Sequence, residues 1–325
     1  MSILERLGVG PIVQAGMGGG LSRHELATAV SEAGGLGTIA VNGAAAIRRE
    51  LAAARALTAR PLAVNLLLPF ARRDWFEAAE AADVVVTFWG RPRRRTTRTW
   101  LHQCGSVEEA RAAYGAGADA AIVQGVEAGG HVRGETPALE LLEQARAALP
   151  PDYPVLVAGG IAGHEDVRQA LEIGAAGAVA GTRFLLSEES RAHPGYRQRL
   201  LDADETLLTD LFGMGWPASH RVVPNEATER WLRKGASGSD PARRAPALNR
   251  AINRASAPGA RYMPPSLQRR LIAAQRPGSR LLTPQGATDD GPTTLVDAGP
   301  LYAGDTVRRI ADVRPAAEIV ARLTP

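Results

Sequence analysis

The chain has 325 residues, 45% hydrophobic and 22% charged, enough to bury one large domain, alone or with an extension, and too apolar for a disordered chain. Its formal net charge is +4, nearly all of the positive charge arginine, but the basic residues are scattered among 34 Asp and Glu. The densest run, RPRRRTTR at 91–98, is short and carries no interleaved aromatics, so it reads as a solvated face, with an anion-attracting entrance the weaker alternative, and no nucleic-acid partner is expected.

The single cysteine, Cys104, excludes an internal disulfide and a multi-cysteine metal site. No HExxH or other ligand spacing occurs, so no metal is expected. There is no run of about twenty apolar residues to span a membrane. The N-terminal residues lack the basic stretch and long apolar core of a signal peptide. A soluble cytoplasmic protein is expected.

From residue 11 to about 185, short apolar β-branched runs alternate with Ala-rich amphipathic ones. Strands are expected at 11–15, 37–41, 62–67, 84–88, 99–103, 120–124, 155–158 and 178–181. Helices are expected at 23–33, 44–57, 72–81, 107–115, 137–148 and 165–173, while the link at 91–98 is too short for one. Most of the strands are apolar nearly throughout, as parallel strands covered on both faces are. Eight such strands alternating with helices make the expected fold α/β, a (β/α)8 TIM barrel, rather than an open doubly wound sheet.

Beyond residue 187 the pattern breaks down into Gly-, Pro- and Ser-rich stretches, with helical periodicity returning near 316–323. Two domains are expected: a barrel at 1–215 and a loop-rich, partly helical extension at 216–325 packed on it, without a second sheet. Barrels with a long wrapping tail often pair, which leaves a homodimer among the expected states.

Glycine clusters end several strands: QAGMGGG, QGVEAGG, AGGI and AGTRF. In a barrel these converge on the carboxyl-end rim, where active sites lie. Gly159 and Gly160 follow the seventh strand, and Gly181 and Thr182 the eighth. Those are the usual positions of a phosphate site, since bare backbone lets N–H groups approach a ligand. Thr182 adds a hydroxyl and Arg183 a charge. Ala15, Gly16 and Met17 form a backbone shelf with a flexible apolar contact for a flat ring. Asn65 and Gln124 are amides in apolar strands, able to donate and accept along a ring edge.

His131 stands one step beyond the sixth strand, behind Gly129 and Gly130. A neutral imidazole at that rim suits proton abstraction from a carbon acid. His102, in TWLHQCG, also falls near a strand end and is a second candidate for substrate contact. Cys104 reads as structural, because Ser106 and Glu109 just after it have capping-box spacing.

PIVQAGMGGG, AVNLLLPF, IVQGVEAGGHVRG, VLVAGGIA and GAVAGTRFLLSEES follow one another as in the nitronate monooxygenases, once called 2-nitropropane dioxygenases. The chain resembles that family over about residues 8–220, with weaker echoes in GWPASHRVVPNEA and PLYAGDTV. The resemblance implies a flavoprotein with non-covalent FMN. Its phosphate would lie at Gly159, Gly160, Gly181 and Thr182. Its ring would lie over Ala15, Gly16 and Met17, near Asn65, Gln124 and Gly129. It makes His131 the catalytic base, drawing the α-proton from a neutral nitroalkane. The implied reaction is oxidative denitrification with O2, giving a carbonyl compound and nitrite. Flavin-dependent enoyl-thioester reductases share these motifs, which makes a reductase using NAD(P)H the alternative and a non-catalytic flavin-binding accessory barrel the third. The chain departs from the family pattern at TFWGRP and HQCG, where Trp89 and His102 are expected to reshape the substrate pocket.

Overall fold

The computed structural model describes residues 2–232, 242–260 and 262–325. Packing divides the chain into two compact units: Met1–Ala128 with Arg133–Ser190 and Asp312–Pro325, and Gly129–Val132 with Arg191–Ala311.

The first unit is a parallel barrel. Its strands are Ile12–Gln14, Gly37–Ile39, Leu62–Leu67, Val84–Phe88, Thr99–Cys104, Ala120–Gln124, Val155–Ala158 and Ala178–Ala180. Each pairs in parallel with its neighbours, and the first pairs with the eighth. The first and second strands close the ring. The Gln14 N–H donates to the Leu36 carbonyl at 3.0 Å, and the Leu36 N–H to the Ile12 carbonyl at 2.9 Å. The expected (β/α)8 TIM barrel is therefore present. Strands such as VVVTF are β-branched and buried at every position, because the core lies on one side of them and helices on the other.

Side-chain alternation sorts the two faces. Val13, Ala63, Val84, Val86, Leu101, Ala120, Ile122, Leu156, Ala158 and Val179 pack together inside the ring, with Ile3 and Leu4 of the N-terminal turn. The intervening residues pack outward. Leu62, Val64 and Leu66 meet the helices Ala44–Leu57 and Arg73–Ala79. Ala121, Val123, Val155 and Val157 meet Val107–Gly115 and Ala138–Ala148. Ile12, Ala178 and Ala180 meet His24–Glu32, His164–Glu172 and the terminal helix Ala316–Leu323. The expected helices all form, and the link at 91–98 carries none.

The second unit holds a small sheet, which the sequence reading did not anticipate. Leu207–Thr209 runs antiparallel to His220–Val223 and parallel to Ala242–Arg243. Leu301–Tyr302 and Gly130–His131 both pair antiparallel with His220–Val223. These strands span only two to four residues, too short for their alternation to stand out among glycines and prolines. Residues 191–215, read from the sequence as part of the barrel, belong to this unit. It also carries the helices Pro194–Leu201, Glu226–Trp231, Ala247–Ala260, Pro265–Ala274 and Leu295–Ala298. Among the described residues no helix is long and apolar enough to cross a membrane.

The second barrel strand sits so close to helix His24–Glu32 that a Cβ on Gly37 would lie 1.9 Å from the Ala27 carbonyl oxygen. Neither backbone can yield without moving an element. Gly37→Ala is expected to destabilise the protein by roughly 1–3 kcal/mol, as overpacking does. A fall in thermal midpoint, with native far-ultraviolet circular dichroism at low temperature, checks it.

Candidate active site

Strand alternation decides which side chains the barrel presents at its carboxyl end. Asn65 shares its face with Ala63, and Gln124 shares its face with Ala120 and Ile122, so both amides point inward. Ala15 packs against the same interior cluster. Gly16 lies directly against Asn65: a Cβ on Gly16 would come within 2.4 Å of the Asn65 Cβ. The shelf and the amide thus form one surface. Ser22 fixes the loop beyond it, its Oγ accepting from the Met17 N–H at 3.1 Å. Gln124 Oε1 accepts from the Arg133 N–H at 3.3 Å, which tethers the returning chain to the sixth strand.

After the seventh strand, Gly159 and Gly160 take φ of +108° and +76°, a left-handed backbone that L side chains resist. After the eighth, Gly181 precedes the short helix Thr182–Leu185, and its Cβ position faces the Ala15 methyl at 3.6 Å. Small residues therefore meet where the first and eighth strands end, and the glycine turn after the seventh lies against Ala128 and Ala138. Arg183 is not available as the expected extra charge. Its guanidinium is buried, bonded to the Asp312 carboxylate at 2.7 Å, the Asp312 carbonyl at 2.6 Å and the Leu186 carbonyl at 3.0 Å.

His102 proves different from its sequence reading. It shares a face with Trp100 and Cys104, on the outward, helix-facing side of the fifth strand, and is 2% exposed. Its Nδ1 is 2.7 Å from Thr87 Oγ1, which also accepts from Trp100 Nε1 at 2.7 Å. Burial, with the charge of Arg133, holds it down to about 4. The residue offered inward at this strand end is Gln103, half-buried and aligned with Phe88 and Ile122. A one-residue step flips the face, so proximity to a strand end does not decide which side chain enters the barrel. Cys104 is buried, and burial pushes its thiol up, away from nucleophilic use. Ser106 caps the next helix as expected, but Glu109 receives the Gly105 N–H at 2.8 Å and also pairs with Arg133.

Trp89 lies in the turn after the fourth strand with φ of +65°, and the Arg133 guanidinium sits 5.1 Å from its ring centre. It borders a cavity of about 440 Å³.

In the second unit, His131 lies in the two-residue strand paired with His220. Gly129 is bare for packing reasons, since a Cβ there would lie 2.5 Å from the Gly304 nitrogen. The His131 ring stacks on Trp216 with centroids 3.7 Å apart and 16° between planes. His220 and Tyr302 flank it at 5.3 and 5.5 Å. This packing, and then the neighbouring His220, hold His131 well below the usual imidazole range. His220 is itself built as a neutral ring: Nδ1 lies 2.9 Å from the Ala218 carbonyl, while Nε2 accepts from the Phe212 N–H at 3.3 Å. Burial brings it to about 4. Trp216, His220 and Tyr302 had no role assigned from the sequence. Their only signal there was that they fall in the two weaker echoes of the family.

A closed parallel barrel with glycine turns and inward amides at its carboxyl end is the architecture of a ligand-binding enzyme barrel. Comparison with known proteins makes the class specific. The family model "Nitronate monooxygenase" matches residues 2–100 and 93–325, and the chain belongs to that family. A nitronate monooxygenase of Pseudomonas aeruginosa is 35% identical over 251 residues, 58% of this chain and 70% of that protein. A (3aS,4S,5R,7aS)-5-hydroxy-7a-methyl-1-oxo-octahydro-1H-indene-4-carboxyl-CoA dehydrogenase of Mycobacterium tuberculosis is 33% identical over 240 residues, 68% of this chain and 64% of that one. Among solved structures, a nitroalkane oxidase from Streptomyces ansochromogenes superposes with a TM-score of 0.73 at 29% identity, covering 98% of this chain and 96% of that one. FabK from Thermotoga maritima shares the fold, with a TM-score of 0.74 at 24% identity over 99% and 94% of the two chains. The protein is an enzyme of the nitronate monooxygenase type.

The buried neutral histidines make stability depend on pH. In the unfolded chain each titrates near 6.5, but His102 and His220 hold out to about 4 when folded. The unfolded state therefore takes up protons first as pH falls. Stability is full above about pH 6.5 and declines toward pH 4, by up to about 1.4 kcal/mol per pH unit for each ring. Urea unfolding midpoints should fall between pH 7 and pH 5, and less steeply in His102→Asn.

Proposed function

We propose that the protein is an FMN-dependent oxidoreductase that denitrifies alkyl nitronates with O2, giving a carbonyl compound and nitrite. Gly159, Gly160, Gly181 and Thr182 would hold the cofactor phosphate. Ala15, Gly16 and Met17 would underlie its ring, and Asn65 and Gln124 would meet the ring edge. The residues fit such a group: the turns are bare, Ala15 and Gly181 add little bulk, and both amides share the inward face. When bound, FMN supplies the electron acceptor and the reaction with oxygen.

The observation that carries the reading is His131. The ring sits in an aromatic setting that keeps it neutral at ordinary pH, and a neutral imidazole can accept a proton. It would take the α-proton of a neutral nitroalkane and leave the nitronate. Stacking on Trp216 restricts the plane in which that proton can be received, and the pairing with His220 fixes the backbone beneath it. A nitronate supplied as the anion needs no such step.

The purified protein is expected to show flavin absorption, and its flavin to bleach on anaerobic mixing with propyl nitronate. His131→Ala should lower turnover of neutral nitroalkanes by about 100-fold or more, the scale of general-base catalysis, while changing nitronate turnover only a few-fold. Equal losses with both substrates would remove the proton-abstraction role. The 33% identity to a protein named as a carboxyl-CoA dehydrogenase supports a second reading, reduction or oxidation of a thioester. Rapid bleaching by NAD(P)H without any response to nitronate would select it.

A further inference from the structure

The cavity beside Trp89 has an unusual lining. It opens at the carboxyl ends of the third and fourth barrel strands and is lined by Leu68, Pro69, Trp89, Gly90, Arg91, Arg93, Arg95 and Arg133. No carboxylate lines it.

The local sequence explains the arrangement. Residues 91–96 form neither helix nor strand and follow Trp89 and Gly90, both with positive φ. The arginines at 91, 93 and 95 line the cavity, whereas those at 94 and 98 are turned to other work. Arg94 pairs with Asp119 at 2.8 Å and donates to the Gly117 carbonyl at 2.6 Å. Arg98 donates to the Glu80 carbonyl at 2.7 Å. Arg91 and Arg93 are exposed and make no ion pair among the described residues, and Arg95 lies over the Phe76 ring at 5.6 Å. Arg133 is the one member with an acidic partner, Glu109. Trp89 is the only non-glycine residue with positive φ among those described, a strained conformation of the kind concentrated at ligand sites.

We propose that this cleft binds the diphosphate of a nucleotide-bearing ligand. Charge count selects the class. Three guanidiniums without acidic partners, plus a fourth partly neutralised, match a group with two or three negative charges rather than a nitronate or carboxylate with one. Guanidinium forks suit phosphate oxygens. A volume of about 440 Å³ with an apolar and aromatic wall takes more than an inorganic ion. The cleft lies at the same strand ends as Asn65, so a ligand held by its diphosphate there can extend toward the inward-facing amides. An ADP moiety of this kind occurs in coenzyme A thioesters and in nicotinamide dinucleotides. The cleft does not depend on which reaction the barrel performs.

The probe is ADP, titrated calorimetrically into protein saturated with FMN so that the glycine turns are not the site measured. Binding that weakens at least tenfold in Arg91→Ser/Arg93→Ser/Arg95→Ser, but not in Arg94→Ser, supports the proposal. So does weakening with added salt, as screening of exposed charges requires. No heat with ADP, or equal affinity in the triple variant, overturns it. A second measurement uses the unaltered protein: ADP should protect the 91–95 peptide from phenylglyoxal, with or without FMN, and equal labelling overturns the site. Displacement of ADP by coenzyme A at lower concentration than by NADH or NADPH identifies a thioester carrier as the source, and the reverse order a nicotinamide donor. Failure of FMN to bind would count against the cofactor reading alone, because the protection map reads the arginines directly.

Discussion

Closure of the parallel ring is the constraint on which the barrel unit depends. Two hydrogen bonds between Ile12, Gln14 and Leu36 join the first strand to the second, and every other strand is held by two neighbours. Once the ring is closed, each residue has an assigned side, and no strand can slip by one position without turning its apolar set out of the core. The inward set is small and aliphatic, Ala63, Ala120 and Ala158 alternating with Val, Leu and Ile, which fills the narrow interior. The same alternation carries past the last aliphatic layer, so that Asn65, Gln103 and Gln124 arrive at the carboxyl end on the ligand-facing side.

The electrostatic design differs between the barrel's ion pairs and its cleft. Several arginines are matched to nearby carboxylates, as Arg55 is to Asp83, Arg94 to Asp119 and Arg183 to Asp312. The exposed pairs contribute little to stability, since solvent screens them. The buried Arg183 is different: its contacts with Asp312 and Leu186 tie the eighth strand's turn to the chain's terminal segment. Arg91 and Arg93 make no ion pair among the described residues and line the cleft beside Trp89.

The histidines show how environment sets chemistry. His102 and His220 are both held neutral by burial, His102 also by the charge of Arg133; the His102 ring meets Thr87 Oγ1, and the His220 ring meets the Ala218 carbonyl and the Phe212 N–H. His131 shares the low proton affinity, with its ring stacked on the indole of Trp216. The residue type alone does not separate these three; their neighbours do.

The sequence by itself determined the barrel. Eight apolar runs of strand length, spaced by amphipathic helices, leave few ways to bury their faces. The glycine turns at 159–160 and 181 and the Gly-Gly-His step were equally legible, because such backbone leaves a residue-level mark. Only the tertiary structure decided which strand-end residues face the ligand side. His102 and Gln103 are adjacent in sequence and opposite in space, and the choice depends on a register fixed by neighbouring strands. It also decided the small sheet around His131, whose strands are too short to show a period, and the gathering of Arg91, Arg93, Arg95 and Arg133. A run that reads locally as a solvated charged face becomes a lined cleft only when a turn and a residue some forty positions later are brought to it. Such long-range juxtaposition has no local pattern from which it can be read.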